Sequence, residues 1–155
     1  MIRLFITFFY VGLIPFAPGT FGSIAGAVVA YFVLVFFSST TLFLATILIT
    51  LLGVSAINSY EKATNSHDHK SIVIDEVAGV WLSIVLSGAT LTQMALSLVF
   101  FRIFDILKPS IIGRIDKNVG GGLGVMGDDI VAGFFAGIMS ALCYGVMMKF
   151  GFVLP

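Results

Sequence analysis

The sequence predicts an all-α protein: a polytopic membrane helical bundle of about five long helices, preceded by an N-terminal interfacial or re-entrant helix. Three observations predict it. Of 155 residues, 59% are hydrophobic and only 10% charged, against about a quarter charged in ordinary soluble domains. Mean hydropathy is +1.12, so a soluble chain of this size would leave too much apolar surface in water. Apolar runs of helix length also alternate with short polar stretches along the whole chain. The length suits one membrane-embedded domain over residues 1–155.

Residues 2–14 are apolar but short for a crossing, and Pro15 and Pro18 end them. With Arg3 the run resembles a signal peptide, but no small-x-small cleavage site follows, so the segment is expected to stay. Residues 18–23 read as a glycine-rich turn with Thr20 or Ser23 as the cap of the next helix. A first span over 24–37 is followed by a tight turn at 38–41 and a second span to about Ile57. Residues 58–71 form a first polar loop. A third span covers 72–87 and a fourth 91–107, stopped by Lys108-Pro109. A second polar loop, 108–127, carries glycine at 120, 121, 122, 124 and 127, and the last span covers 130–150.

Counting along these spans puts the N-terminus, both polar loops and all eight acids on one side. Seven of the eight Lys and Arg residues share that side, leaving only Lys149 opposite. The positive-inside rule makes it the cytoplasmic face. Formal net charge is zero, and no basic stripe exists to neutralise phosphates, which excludes nucleic acid as partner. The single Cys143 excludes an intrachain disulfide and reads as a packing residue in an apolar run.

The chain is organised around Asp75-Glu76-Val77-Ala78-Gly79 and its echo Asp129-Ile130-Val131-Ala132-Gly133, which Asp128 precedes. An ionised side chain at a helix centre in lipid costs roughly 2.5–3.5 kcal/mol, so these pairs belong at an interface, in a polar interior or around a cation. Each glycine lies one turn beyond its acid on the same face, where another helix can come close. Two readings stand: helix-end capping, or convergence on one metal site. Carboxylate oxygens without thiol partners suit Mg²⁺ better than a softer metal. His67 and His69 could take zinc or serve as hydrogen-bonding groups. Arg102, Asp105 and Lys108 follow at three-residue spacing. They form either an ion-pair ladder or a metal-holding acid flanked by cations that grip an anionic substrate. The glycine-rich stretches at 18–23 and 120–127 could each cradle a phosphate at a helix N-terminus.

Four segments together resemble the phosphatidylglycerophosphatase A family. They are Pro18-Gly-Thr-Phe-Gly-Ser23, His67-Asp-His-Lys-Ser-Ile-Val-Ile-Asp-Glu-Val-Ala-Gly79, Phe101-Arg-Ile-Phe-Asp-Ile-Leu-Lys-Pro109 and Gly121-Gly-Leu-Gly-Val-Met-Gly-Asp-Asp-Ile-Val-Ala-Gly133. They run in order over nearly the whole chain. The resemblance implies a bacterial inner-membrane, multi-pass enzyme that uses Mg²⁺ to remove the terminal phosphate of phosphatidylglycerophosphate, giving phosphatidylglycerol. It implies metal ligands among Asp68, Asp75, Glu76, Asp105, Asp128 and Asp129, with Asp75, Glu76, Asp105 and Asp129 catalytic and Thr20, Arg102 and Lys108 on the substrate. Some relatives carry histidine where this chain has Gly120, so no acid or base is available there. No Pro-Ser-Gly-His stretch of the histidine-nucleophile membrane phosphatases occurs. The Asp-Gly…Ala-Arg signature of lipid alcohol phosphotransferases is absent too. The expected partners are the lipid substrate and the membrane, and a homo-oligomer is compatible with the sequence. Attack by water and an aspartyl-phosphate intermediate both fit. A membrane cation transporter using the same acids is the alternative function, although its path would need polar groups towards the far side.

Overall fold

Pro18, not a turn, opens the first long helix, and the rest of the chain follows as helix after helix. The structure is a computed structural model describing residues 1–64, 70–88 and 90–152. In chain order it contains α1 (Ile2–Ile6), a 3₁₀ turn (Val11–Leu13), α2 (Pro18–Phe36), α3 (Ser39–Thr64), α4 (Ile74–Ser87), α5 (Leu91–Leu107), α6 (Ile111–Asn118) and α7 (Gly121–Lys149). The all-helical class is found, and the five stretches expected as spans form the helices α2, α3, α4, α5 and α7.

Their lengths are unequal. Among the described residues, α2, α3 and α7 are long and apolar enough to cross a membrane, at 19, 26 and 29 residues. The 14 residues of α4 rise only about 21 Å, less than the roughly 30 Å of a bilayer core. This helix is buried nearly all round, through Ile74, Val77, Ala78, Val80, Trp81 and Ile84, as a helix apolar on every face should be. It packs against α2, α3, α5 and α7. The outer helices carry the exposed apolar side chains, such as Phe32, Leu48, Leu51 and Leu142.

Small residues set the helix spacing. A Cβ on Gly26 of α2 would lie 3.2 Å from the Cα of Val77, and the indole Nε1 of Trp81 donates to the Gly26 carbonyl at 2.7 Å. On α7, a Cβ at Gly133 would overlap the carbonyl oxygen of Gly79. Polar side chains hold the opposite end of α4. Thr90 and Gln93 form a capping box at the start of α5. The buried Ser97 hydroxyl reaches that of Ser87 at 3.0 Å, and Ser140 of α7 donates to the Gln93 carbonyl at 3.0 Å.

Four stretches differ from the sequence-based expectation. Residues 18–23 are the first turns of α2, capped at Ala17 rather than Thr20 or Ser23. Proline is tolerated at the first helical position because that N–H has no intrahelical partner, and Ser23 donates instead to the Gly19 carbonyl at 2.8 Å. Residues 58–64 continue α3. Most of 108–127 is helical too, because α6 and the start of α7 occupy it. Two of its glycines allow close backbone contact: a Cβ on Gly122 would overlap the Val54 carbonyl oxygen, and one on Gly124 that of Val119. Residues 2–14 split into α1 and the 3₁₀ turn, separated by left-handed backbone at Phe8, Phe9 and Tyr10.

Candidate active site

The starts of α2, α4 and α7 and the end of α5 meet at one end of the bundle, around a cavity of about 330 Å³. Six carboxylates and three cations line it: Asp75, Glu76, Asp105, Asp116, Asp128 and Asp129, with Lys70, Arg102 and Lys108. The acidic excess is unfavourable in a confined space unless another cation or a proton is present.

Asp75, Glu76 and Asp129 converge most closely. Each offers a carboxylate oxygen, and the three atoms lie within 4.8 Å of one another. Asp75 and Asp129 are only 8% and 4% exposed, and Glu76 Oε2 is buried with no hydrogen-bond partner among the described residues. Close approach of α2 frames this group. Gly19 lies against Glu76 Oε1, which a Cβ would displace, and the same Cβ would be 3.3 Å from Arg102 Nη1. Helix-end electrostatics suit one pair, since Asp75 and Glu76 lie in the first turn of α4, although no side chain caps that helix. They do not explain the other, because Asp128 and Asp129 lie inside α7, well beyond its start at Gly121.

The charged end of α5 divides into a pair, Arg102 with Asp105, and a triad, Lys108 with Asp116 and Asp128, rather than one ladder. Arg102 binds Asp105 through Nη1 and reaches Ser23 Oγ at 3.4 Å, while its Nε is buried without a partner among the described residues. Lys108 leaves Asp105 and bonds Asp116 at 2.5 Å and Asp128 at 2.6 Å. Its backbone explains the departure. Pro109 disfavours the right-handed helical region for the residue before it, and Lys108 sits at φ 43°, ψ 55°, so its side chain turns towards α6 and α7. Burial alone would lower its pKa, but the bonds to Asp116 and Asp128 outweigh this and raise it above the ordinary lysine value.

Asp75, Glu76, Asp105, Asp128, Asp129, Arg102 and Lys108 are therefore all brought to one cavity. Thr20 is not among its lining residues; Ala17, Pro18 and Gly19 supply that part of the wall. Asp68, His67 and His69 fall outside the described residues. The sequence reading did not single out Lys70, and it left Asp116 as an acid without a role; both lie in polar stretches where spacing does not distinguish a cavity wall from solvent.

The donor set fits a hard divalent cation: oxygen ligands only, three of them convergent, one with a buried unpartnered oxygen.

Comparison with known proteins gives a consistent result. The family described as phosphatidylglycerophosphatase A matches residues 4–144. The phosphatidylglycerophosphatase A of Escherichia coli K12 is 40% identical over 130 residues, covering 83% of this chain and 75% of its own. That of Haemophilus influenzae is 36% identical over 129 residues, 83% and 79% of the two chains. A Bacteroides thetaiotaomicron protein, whose name proposes a phosphatidylinositol-3-phosphatase, is 34% identical over 144 residues, 88% and 89% of the two chains. No solved structure matches.

Proposed function

Because the chain belongs to the phosphatidylglycerophosphatase A family, we propose that it hydrolyses the terminal phosphomonoester of phosphatidylglycerophosphate, releasing phosphatidylglycerol and inorganic phosphate. The observation that supports this best is the convergence of Asp75, Glu76 and Asp129 beside Arg102 in a cavity at one end of an apolar bundle. A lipid phosphate can enter such a cavity while its acyl chains remain in the bilayer.

Asp75, Glu76 and Asp129 would hold Mg²⁺. When bound, the ion supplies charge neutralisation at the phosphate oxygens and a water of lowered pKa. Arg102 contributes a planar fork suited to phosphate, and a phosphate oxygen would give its buried Nε the partner it lacks. Asp105 holds that guanidinium in place through Nη1. Lys108 braces Asp128 against α6 through Asp116, so its charge is largely committed to the wall. Hydrolysis breaks the bond between phosphorus and the glycerol oxygen. Water adds to phosphorus and a proton passes to the departing alkoxide.

The cavity end would face the cytoplasm of a multi-pass protein in the bacterial inner membrane. The support is charge: Arg3, Lys62, Lys70, Arg102, Lys108, Arg114 and Lys117 gather at that end and only Lys149 at the other.

The decisive experiment is phosphate release from the lipid by purified protein in detergent. Chelation should abolish turnover and Mg²⁺ should restore it, and calorimetric Mg²⁺ binding should be lost in Glu76→Gln. Full turnover after exhaustive chelation would remove the metal. Absence of phosphate release under any condition would remove the phosphatase reading.

A further inference from the structure

Arg102 is paired with Asp105, and Lys108 with Asp116 and Asp128. Lys70 also lines the cavity, and among the described residues it has no hydrogen-bond or ion-pair partner. It differs in depth as well. Lys70 is exposed, whereas Asp75 and Asp129 are buried and the Arg102 side chain is 18% exposed. The carboxylate group therefore forms the floor of the cavity and Lys70 part of its rim.

The backbone beside Lys70 is anchored. The Val73 amide donates to the Ile6 carbonyl at 2.9 Å, and Gly12 lies so close to the Ser71 carbonyl that a Cβ there would overlap its oxygen. The N-terminal segment thus clamps the short link from Lys70 to α4 and holds the backbone that carries Lys70 at the mouth.

We propose that Lys70 is a specificity-determining residue that binds the phosphodiester of a lipid carrying two phosphates. This rests on the functional reading above and deepens it. In such a substrate the diester lies between the reacting monoester and the glyceride. With the monoester on the floor beside Arg102, the diester is carried outward to the rim. A monoanionic diester matches a single unpaired ammonium there, and the contact is made equally before and during the reaction. Such uniform binding appears in KM and not in kcat.

The test compares the wild type with Lys70→Ala and Lys70→Arg on phosphatidylglycerophosphate in mixed micelles, with inorganic phosphate as competitor. Lys70→Ala should raise KM about tenfold, the scale of one charge-assisted contact at a partly hydrated site, with kcat near wild type. Lys70→Arg should recover most of the affinity. Inhibition by inorganic phosphate, which can fill only the monoester position, should be the same in all three. An unchanged KM, a fall in kcat alone, or parallel weakening of phosphate inhibition would overturn the assignment. Wild-type protein that releases no phosphate from the lipid would overturn the functional reading itself, a separate failure.

Discussion

The carbonyl oxygen of Gly79 occupies the space that a side chain on Gly133 would need. The contact is reciprocal: a Cβ on Gly79 would lie 2.7 Å from the Asp129 carbonyl oxygen and against the Phe101 ring. Each acid pair thus sits one turn from the point where α4 and α7 touch backbone to backbone, and that point sets the distance between the pairs.

Gly133→Ala should therefore disable the site. Its methyl group would meet backbone, which cannot rotate aside, so α7 must move. Displacement of about an ångström can cost on the order of a hundredfold in rate. Helix content should hold, because alanine is favoured over glycine by roughly 0.8–1.0 kcal/mol. Gly145→Ala is the control, since nothing lies within 4 Å of a Cβ there. Circular dichroism with phosphate release checks both, and wild-type turnover in Gly133→Ala would refute the role of the contact.

Arg102→Lys should lower kcat/KM by about tenfold to a thousandfold, or roughly 1.4–4 kcal/mol in transition-state stabilisation. Lysine keeps the charge but cannot bond Asp105 and present a planar fork to phosphate together. Steady-state kinetics on folded protein decides it. If the variant instead fails to fold or insert, the pair with Asp105 is structural.

Lys108→Met should destabilise the cavity end. It leaves Asp128, 6% exposed, without its cation, while Lys108 itself is 32% exposed, so solvent screens part of the loss. A cost on the order of 2 kcal/mol is expected, read as a lower thermal midpoint in detergent. The pH dependence has a definite sign. The folded pKa is raised, so the contribution is complete below the ordinary lysine value of 10.5 and is lost only as pH rises through the folded value. The difference from wild type should be flat across neutral and mildly alkaline pH. A difference that vanished on mild alkalinisation would show that the ion pairs are not its source.

Topology is checked by cysteine labelling in a Cys143→Ser background. Cysteines at Lys62 and Lys117 should react from the cytoplasmic side and one at Thr40 from the other. Labelling of Lys62 and Lys117 positions from opposite sides would break the single site, because α6 borders the cavity and α3 is bonded through Asn58 to the start of α7.

The sequence by itself determined the helical class, the order of the spans and the end at which the acids gather. Those properties depend on where charges interrupt apolar runs, and lipid forbids most alternatives. It also marked Gly79 and Gly133 as contact positions, because residues four apart share a helical face. Tertiary structure alone decided which acids meet. Neighbouring residues on a helix point about 100° apart, so adjacency does not say whether both acids of a pair reach one site: Asp75 and Glu76 do, whereas Asp128 and Asp129 part. The crossing of α4 and α7 turned Asp129 towards Asp75 and Glu76 and left Asp128 to Lys108. The glycines at 122 and 124 look like loop residues because glycine disfavours helix. They are helical here because backbone atoms of Val54 and Val119 fill the places side chains would take. Lys70 stood out in no spacing pattern. Only the fold around it shows an ammonium without a partner among the described residues, at the mouth of an acidic cavity.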